Sequence, residues 1–516
     1  MRSRKSSRGT TINLCSVGRK FWAGQRAMLL RTSITSALVL MLVPIALQTA
    51  QAQTETVLYN FTYGTDGGFP EGSLIPDGSG DLYGTTKEGG TYGYGTVFKV
   101  SPGGCNGWCE TVLHSFCYVC TDGNFPTSSL LFDSAGNLYG TTTGGGAYGA
   151  GTVFELTPGG CSGGWCETLI YNFCSLQNCA DGVGPGGVVW DSSGNLYGTV
   201  SNGVFELSPN GNGGWTEQLI YSTQSSLVIS PGLAFDATGN LYGFGNNFVF
   251  KLSFVNGTWI ANIIQSFDGT TPCGAPVVDS LNNVYGTTYS GGSQGYGTVW
   301  KLTPVTGGKG AGTYKQSILH TFTVEKTGLY PVAGLTLDSS GNLYGTTSEG
   351  GKDGNYGTIF ELGLSGTSYK FKILWNFNNK DGQEPLASVI LDSSGHLYGT
   401  TEYGGPEFNA GTVFAFSPSS IATTTTLTSS PNPSTSGETV TFTATVTSSA
   451  GAPPDGETVS FMEGSTQLGT GTLSGGSASF ATSSLPVGTS KVDAVYAGDI
   501  DFSGSTSKPV KQVVKQ

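Results

Sequence analysis

Apolar and polar positions alternate along this chain in short runs, and the runs recur in sets of four. In one full copy an apolar run spans 334–338, a second spans 342–347, a third 357–362 and a fourth 371–377. Gly, Ser, Asn and Asp residues separate the runs, which is typical of β-strands joined by tight turns. The pattern predicts four β-strands in each repeat.

A short phrase, Asp followed by turn residues and Leu-Tyr-Gly (Val-Tyr-Gly in the fifth copy), marks the second run of each repeat. Its seven copies lie roughly 43 to 59 residues apart, and an internal period of this length indicates a propeller or another array. Four strands in a meander, repeated seven times, predict an all-β chain with a seven-bladed β-propeller. A β-helix is the alternative, but its coils are shorter and more even. The central tyrosines are Tyr83, Tyr139, Tyr197, Tyr242, Tyr285, Tyr344 and Tyr398.

The two ends of the repeat region predict how the ring closes. Residues 57–61 match a fourth run without the three that should precede it, whereas residues 411–416 match a third run without a fourth. We expect the Asp-terminated run to be the innermost strand and the fourth run the outermost. The N-terminal strand is therefore predicted to complete the last blade.

The Asp of the phrase is predicted to form the turn, because its short acceptor side chain bonds the turn's amides and a following Gly supplies positive φ. A calcium loop with Asp77, Ser79 and Asp81 as ligands is the alternative. The tyrosines are expected to pack between blades with their hydroxyls bonded to a neighbour's backbone; a ligand-facing row is the alternative. The seven turn aspartates are Asp77, Asp133, Asp191, Asp236, Asp279, Asp338 and Asp392.

The pattern Gly-Asn-Leu-Tyr-Gly-Thr-Thr, a Gly-Gly loop and Gly-Thr-Val-Phe resembles the GloVer tandem repeat of exported bacterial choice-of-anchor proteins. The resemblance covers roughly residues 54–417, although the third and fourth copies lack the Gly-Gly loop. It implies export and surface display rather than a reaction. No catalytic residue is carried over from it.

The composition changes after residue 417, where Thr and Ser become frequent and a proline turn occurs. We expect a linker over 418–423 and a β-sandwich over 424–516, because short alternating strands fill this region. The stretch Tyr496-Ala497-Gly498-Asp499 and the Ser-rich residues after it resemble bacterial immunoglobulin-like repeats of surface proteins. A spacer is the expected role, and glycan or partner binding is the alternative.

The first 52 residues are predicted to be a signal peptide, with a basic segment, an apolar run over 34–47 and a small-residue cleavage site at Ala50-Gln51-Ala52. An uncleaved anchor is the alternative; after cleavage no membrane span is expected. The exported chain would then carry 15 basic and 35 acidic residues, a net charge of −20. Such a surface repels nucleic acid and anionic lipid, so neither is expected as a partner. We expect a monomer that is secreted or displayed on the cell surface.

Strand alternation predicts that the loops between second and third strands share one face with the blade-to-blade connections. Tyrosines and carboxylates there would suit a carbohydrate, whose C–H faces stack on aromatic rings and whose hydroxyls need acceptors. An extracellular glycan or a surface protein is the expected partner. The loops of the third and fourth blades are short, which lowers one side of this face. The candidate ligand-binding residues are Asp66, Glu88, Tyr92, Tyr94, Asp122, Tyr148, Asp181, Asp268, Tyr296, Asp353, Tyr356, Asp381, Glu402 and Tyr403.

The sequence predicts a non-catalytic protein with no catalytic residue, metal or cofactor. His114 and His320 take the outer-strand position that tyrosines take elsewhere, and His396 replaces the Asn of a turn. A polysaccharide-active hydrolase or lyase is the alternative, because Asp and Glu residues of different blades can meet at the mouth of the ring. A purely structural envelope protein is a third hypothesis.

The cysteines form two sets of four, each divided by an outer strand too long for a disulfide to span. Local disulfides are therefore predicted, as an exported location permits. Zinc bound by one set of four thiols is the alternative, and Cys273 is expected to be free. The predicted disulfides are Cys105–Cys109, Cys117–Cys120, Cys161–Cys166 and Cys174–Cys179.

Overall fold

The computed structural model describes residues 54–516 except 106, 118–120, 160, 162–163, 223–231, 309, 325–326, 353, 418–420, 454 and 499–501. The predicted signal peptide and part of the predicted linker therefore lie outside the described residues. The described chain is all-β, and the helix assigned in it is a single 3-10 turn, Gln177–Cys179. No helix among these residues is long and apolar enough to cross a membrane.

The repeat region contains four-stranded sheets, numbered here along the chain. The first strand is β1 (Thr54–Asn60). Sheet 1 contains β2 (Ile75–Pro76), β3 (Leu82–Thr86), β4 (Thr96–Gly104) and β5 (Gly107–Ser115). The short β6 (Gly123–Asn124) follows. Sheet 2 contains β7 (Leu131–Phe132), β8 (Leu138–Thr142), β10 (Thr152–Pro158) and β11 (Trp165–Asn172), and β9 (Gly144–Gly145) pairs with β6.

Sheets 3 to 6 follow the same plan. Sheet 3 contains β12 (Val188–Trp190), β13 (Leu196–Val200), β14 (Gly203–Pro209) and β15 (Trp215–Ser222), and sheet 4 contains β16 (Leu233–Phe235), β17 (Leu241–Phe244), β18 (Phe248–Val255) and β19 (Thr258–Ser266). Sheet 5 contains β20 (Pro272–Val278), β21 (Val284–Thr288), β22 (Thr298–Pro304) and β23 (Tyr314–Thr321). Sheet 6 contains β24 (Thr336–Leu337), β25 (Leu343–Thr347), β26 (Thr358–Ser365) and β27 (Ser368–Asn376).

Sheet 7 joins the two ends of the repeat region. Its strands β28 (Ile390–Leu391), β29 (Leu397–Thr401) and β30 (Thr412–Ser417) lie in order, and β1 pairs antiparallel with β30 along its length. The pairing runs from Thr54 opposite Ser417 to Asn60 opposite Thr412. The prediction that the N-terminal strand completes the last sheet is confirmed.

The core of the repeat region lies between consecutive sheets. Each of seven hydrophobic clusters joins one sheet to the next, as where Tyr83 and Phe116 of sheet 1 meet Leu138 and Phe154 of sheet 2. One cluster joins sheet 7 to sheet 1, and Thr400 Oγ1 donates to the Gly72 carbonyl oxygen across that same boundary at 3.3 Å. The sheets therefore pack in a cyclic order.

The Gly of Leu-Tyr-Gly is required by packing on the third strand. Gly198 lies opposite Phe205, and a Cβ built on Gly198 would be 2.4 Å from the ring of that Phe. The same crowding recurs at Gly84, where the distance to Phe98 would be 2.6 Å. The two phrases Leu-Tyr-Gly and Gly-Thr-Val-Phe thus fit each other across adjacent strands.

The repeated Asp forms the turn between first and second strands, as predicted. In sheet 3, Asp191 Oδ1 accepts hydrogen bonds from the backbone N–H groups of Ser193 and Asn195 at 2.8 and 2.9 Å. In the calcium alternative, Asp77 accepts the backbone N–H groups of Ser79 and Asp81, and Asp81 in turn binds Lys99 at 2.7 Å. Each carboxylate of that loop already faces donors of the protein.

The tyrosines of Leu-Tyr-Gly pack between sheets, but the prediction for their hydroxyls is wrong. The Tyr197 hydroxyl donates to Asp191 Oδ2 of its own turn at 3.1 Å, not to a neighbour's backbone. All seven copies make this bond at 3.0–3.4 Å. The strand places the ring beside the Asp six residues earlier, so the hydroxyl bonds within its own sheet.

The region after 420 contains two further sheets around a core of their own. Strands β31 (Thr423–Ser430), β33 (Val440–Ser448) and β36 (Ser477–Thr482) form one; β32 (Ser434–Thr435), β39 (Val510–Lys515), β37 (Gly488–Gly498), β34 (Thr458–Glu463), β35 (Thr466–Thr472) and β38 (Ser503–Thr506) form the other. Phe442, Phe461 and Tyr496 are buried in this core. This part is packed independently of the seven repeat clusters.

Three of the four predicted disulfides are confirmed: Cys105–Cys109, Cys161–Cys166 and Cys174–Cys179. Cys117 is also disulfide-bonded, and Cys120 lies outside the described residues. The prediction that Cys273 is free is wrong, because this fully buried residue is disulfide-bonded as well. Cys273 lies outside the two sets of four cysteines, so the sequence gave no indication that it has a partner.

Candidate ligand-binding face

The loops after the second strand of each sheet and the connections between sheets lie at the same sheet edge, because consecutive strands are antiparallel. We call this edge the glycine-loop face. Isolated bridges tie the two kinds of loop together, such as Gly68 with Glu88 and Gln383 with Tyr403. The loops of sheets 3 and 4 are short, since β13 and β14 are separated by two residues and β17 and β18 by three. One side of the face is therefore lower, as predicted.

Exposed aromatic rings stand at the tips of the first two glycine loops. Tyr92 is 56% exposed and Tyr148 is 57% exposed. Each presents most of its ring to solvent, which suits stacking on a ligand.

The other predicted tyrosines are half-buried against neighbouring loops. Tyr94 packs on Phe125 at 5.9 Å, and Tyr403 packs on Phe69 at 5.2 Å between ring centroids. Tyr296 contacts Tyr330, which also stacks on Tyr289 at 4.8 Å. Tyr356 packs on the cluster between sheets 6 and 7. These rings can contribute one edge to a ligand but not a full face.

The predicted aspartates divide into four that are buried and one that is exposed. Asp66, Asp122, Asp181 and Asp381 are between 1% and 8% exposed, whereas Asp268 is exposed. Asp181 illustrates the buried type: its carboxylate accepts hydrogen bonds from Ser175 N and the Tyr171 hydroxyl at 2.8 and 3.0 Å. The buried four therefore hold the connections between sheets in shape and leave little surface for a ligand.

The three other predicted acids have different positions. Glu88 accepts a hydrogen bond from the exposed Tyr63 hydroxyl at 2.7 Å. Asp353 lies outside the described residues. Glu402 is only 5% exposed and belongs to a charged cluster.

That cluster brings together Glu71, Lys87, Glu384 and Glu402 from the connections and loops of sheets 7 and 1. Lys87 Nζ lies 2.6 Å from Glu71 Oε1. Burial and the Glu71 carboxylate raise the pKa of Glu402 to about 7, with Glu384 adding to the rise and Lys87 opposing it. Burial lowers the pKa of Lys87, but Glu71 and Glu402 more than offset this and raise it. A carboxyl group that titrates near neutrality can give or take a proton.

Sequence reasoning found Glu402 but missed Glu71, Lys87 and Glu384. These residues come from separate repeats and share no spacing, so only the cyclic packing of sheets 7 and 1 brings them together. Pro-Glu-Gly at 70–72, where other connections have Pro followed by a small or apolar residue, is the one sequence signal that distinguishes Glu71.

The histidines have structural partners. His320 stacks on Phe371 of the next sheet at 3.8 Å, and burial lowers its pKa to about 4. His396 Nδ1 lies 2.8 Å from Asp392 Oδ2, where Asn residues bind in other turns. His114 lies beside Asp122 and Glu167, whose ligand atoms all fall within 4.8 Å of one another. This last group is the one His/Asp/Glu cluster of metal-binding size found among the described residues.

A cleft of about 520 Å³ opens on the opposite face, between sheets 1 and 2. Tyr83, Phe132 and Trp165 line it together with the turn residues Asp77 and Asp133. The sequence predicted turns and hairpins on this face but no cleft. The missed signal is an aromatic residue near the start of the outer strand in sheets 1 to 6, at Trp108, Trp165, Trp215, Trp259, Tyr314 and Tyr369.

The repeat phrases, the four-stranded sheets and the cyclic packing agree with one known family. The profile of the Gloeobacter/Verrucomicrobia repeat matches residues 45–206 and 223–482. The chain belongs to the Gloeobacter/Verrucomicrobia repeat family. The resemblance to this tandem repeat is thereby confirmed for most of the chain. No curated protein matches this chain.

Several solved structures are similar to this chain at low identity. Virginiamycin B lyase from Staphylococcus aureus is 14% identical, with a TM-score of 0.46, 71% of this chain and 98% of that chain covered. The extracellular domain of a hybrid two-component system from B. thetaiotaomicron is 11% identical, with a TM-score of 0.48 and 90% of this chain covered; this chain spans 59% of that one. YCF48 from Cyanidioschyzon merolae is 13% identical, with a TM-score of 0.43, 70% of this chain and 98% of that chain covered. These TM-scores are below 0.5, so the similarities indicate neither a ligand nor an activity for this chain.

Proposed function

We propose that this protein is an exported, non-catalytic surface scaffold that binds an extracellular ligand through its glycine-loop face. In this account the seven sheets are the blades of one β-propeller over residues 53–417, residues 1–52 are a signal peptide, and residues 424–516 form an immunoglobulin-like spacer. The disulfides support an oxidising location. The protein acts as a monomer, because a single chain completes the ring.

The observation that carries the binding proposal is the pair of exposed rings at Tyr92 and Tyr148. Both stand on neighbouring loops of the same face. A glycan is the expected ligand class, because sugar C–H faces stack on such rings while Glu88 and the exposed Asp268 can accept hydrogen bonds from hydroxyls. The buried aspartates serve this surface by holding the connections rather than by contacting the ligand.

A polysaccharide-active hydrolase or lyase is the second candidate, and the charged cluster favours it. Glu402 has a pKa of about 7 and lies in the field of Glu71 and Lys87. A carboxylic acid with a raised pKa beside a second carboxylate is the arrangement that glycosidases use. The pairing of Glu71 with Lys87 at 2.6 Å opposes this role, because it occupies the second carboxylate.

A glycan-array screen of the exported chain, followed by a reducing-sugar assay on each bound glycan, tests the proposal. Binding without release of reducing ends is expected. Release of reducing ends that Glu402→Gln abolishes would contradict the non-catalytic proposal and favour the hydrolase. Absence of binding to every glycan would contradict the ligand class and leave a structural role.

A further inference from the structure

Four boundaries between sheets contain a buried Asp and a partly buried Glu that the binding face does not use. In each, the Asp of a connection faces a Glu from the outer strand of the next sheet, and the Asp raises the pKa of that Glu. The pairs are Asp66 with Glu110, Asp122 with Glu167, Asp181 with Glu217, and Asp381 with Glu55.

The Asp of each pair is held as the acceptor. An outer-strand side chain contacts Asp Oδ2 in every case. Tyr59, Tyr171 and Trp375 donate at 3.1, 3.0 and 3.3 Å, and His114 Nε2 lies 3.0 Å from Asp122 Oδ2. A backbone N–H adds a further hydrogen bond in each case. Such donors stabilise an ionised carboxylate.

The Glu of each pair has one carboxyl oxygen that lacks such support. Oε1 of Glu55, Glu110, Glu167 and Glu217 is buried without a hydrogen-bond partner. For the first three pairs above, the described part of the chain contains no Lys or Arg within ion-pair distance of either carboxyl group. Two neighbouring carboxylates that are shielded from water cannot both be ionised at low cost, so the Glu is the natural holder of a proton.

The remaining three boundaries support this assignment. Each lacks a buried Asp in the connection, and each also lacks a Glu at the equivalent outer-strand position. Where the connection aspartate Asp268 is exposed, the next sheet has Gln316, which accepts from Gln265 at 3.2 Å. Between sheets 5 and 6, where no such Asp exists, the position holds Phe371, stacked on His320. Between sheets 3 and 4 it holds Ala261. A Glu thus occurs where a buried Asp can accept its proton.

We propose that each of these four pairs shares a single proton, with the Glu neutral and donating to the Asp carboxylate, so that the four protons lock successive sheets together and are released as the pH rises. The Asp122–Glu167 pair shows the closeness of the two groups most directly, since one ligand atom from each of His114, Asp122 and Glu167 lies within 4.8 Å of the other two. The titratable groups facing the glutamates are their Asp partners together with Tyr59, His114 and Tyr171.

A metal ion between His114, Asp122 and Glu167 is the competing explanation for one pair. Trp375 occupies the position of His114 at another pair and makes the same contact with Asp Oδ2. An indole N–H can only donate, so the position requires a donor and not a ligand. His114 is therefore assigned the same donating role.

The expected pH dependence follows from the sign of the shift. Burial first, and then the Asp charge, raise the pKa of Glu217 to about 7, of Glu110 to about 8, and of Glu55 and Glu167 to about 9, from the usual 4.5. The folded state thus holds protons that the unfolded state has lost. Stability is full below pH 4.5 for these groups and falls as the pH rises through 7 to 9.

The test compares the melting temperature of the full exported chain from pH 5 to pH 9 with that of the variant E55Q/E110Q/E167Q/E217Q. Gln mimics the neutral acid, so the variant should lose most of the fall in melting temperature that the wild type shows. Glu407→Gln, at an exposed loop position, is the matched control and should follow the wild type. Parallel curves for the quadruple variant and the wild type would overturn the proposal.

A second measurement does not depend on the variant folding. Infrared titration of the wild type should show buried protonated carboxyl groups at pH 7 that disappear by pH 10. Absence of that carbonyl band at pH 7 would overturn the proposal. If Zn²⁺ alone raises the melting temperature of the wild type but not that of His114→Phe, the Asp122–Glu167 boundary binds a metal ion rather than a shared proton.

Discussion

Replacing Phe61 with Ala tests whether the strand at the start of the chain closes the ring of sheets. Phe61 follows β1, is 1% exposed and belongs to the cluster that joins sheet 7 to sheet 1. Its ring centroid lies 5.0 Å from that of Phe98 in an edge-on arrangement. If β1 is docked as described, this side chain is a core residue although it lies near the beginning of the described chain.

The magnitude follows from the burial. Truncating a fully buried Phe to Ala costs about 3–5 kcal/mol of unfolding free energy, through lost transfer energy and the cavity left behind. Phe173 provides a matched comparison, because it follows the outer strand of sheet 2, is fully buried and lies 5.0 Å from Phe205. Phe61→Ala and Phe173→Ala should therefore be destabilising to the same extent.

Urea unfolding followed by tryptophan fluorescence measures both variants against the wild type. Phe254→Ala is the control, because this ring is 59% exposed at a hairpin and its loss should change the unfolding free energy little. If Phe61→Ala costs less than about 1 kcal/mol while Phe173→Ala costs the full amount, β1 does not complete sheet 7 and the cyclic order is wrong.

Two further predictions concern single hydrogen bonds and charges. Tyr242 is fully buried, and its hydroxyl donates to Asp236 at 3.0 Å. Because the acceptor is charged, Tyr242→Phe should lower the free energy of unfolding in urea by about 1.5–3 kcal/mol. A decrease no larger than that caused by Tyr344→Phe, at a less buried position, would contradict this. Lys87 lowers the pKa of Glu402, so Lys87→Met should raise that pKa above 7 in a carbon-detected NMR titration, and an unchanged value would show that the two groups do not interact.

The sequence predicted the local parts of this fold well, for a physical reason. The Asp turn, the strand order and the pairing of β1 with β30 depend on residues that repeat within one unit, so seven copies reinforce each pattern. The hydroxyl partner of Tyr197 was predicted wrongly because it depends on where a side chain ends rather than on where its strand lies.

Features that cross from one sheet to the next could not be predicted. Glu71, Lys87 and Glu402 come from opposite ends of the repeat region, and Asp122 meets Glu167 only because sheet 2 packs on sheet 1. Loop spacing marked Asp66 and Asp181 as surface ligands, whereas the fold buries them. A repeat pattern specifies which residues are equivalent, but the contacts between equivalent units require the packed structure.

The most direct test of the central claim is to measure binding on one glycan array for three proteins: the wild type, Tyr92→Ala/Tyr148→Ala and Phe254→Ala. The double variant removes exposed rings from the glycine-loop face, and the control removes an exposed ring from the opposite one. The account predicts that the wild type and Phe254→Ala bind alike and that the double variant loses binding. Equal binding by all three proteins would contradict the assignment of the ligand to the glycine-loop face.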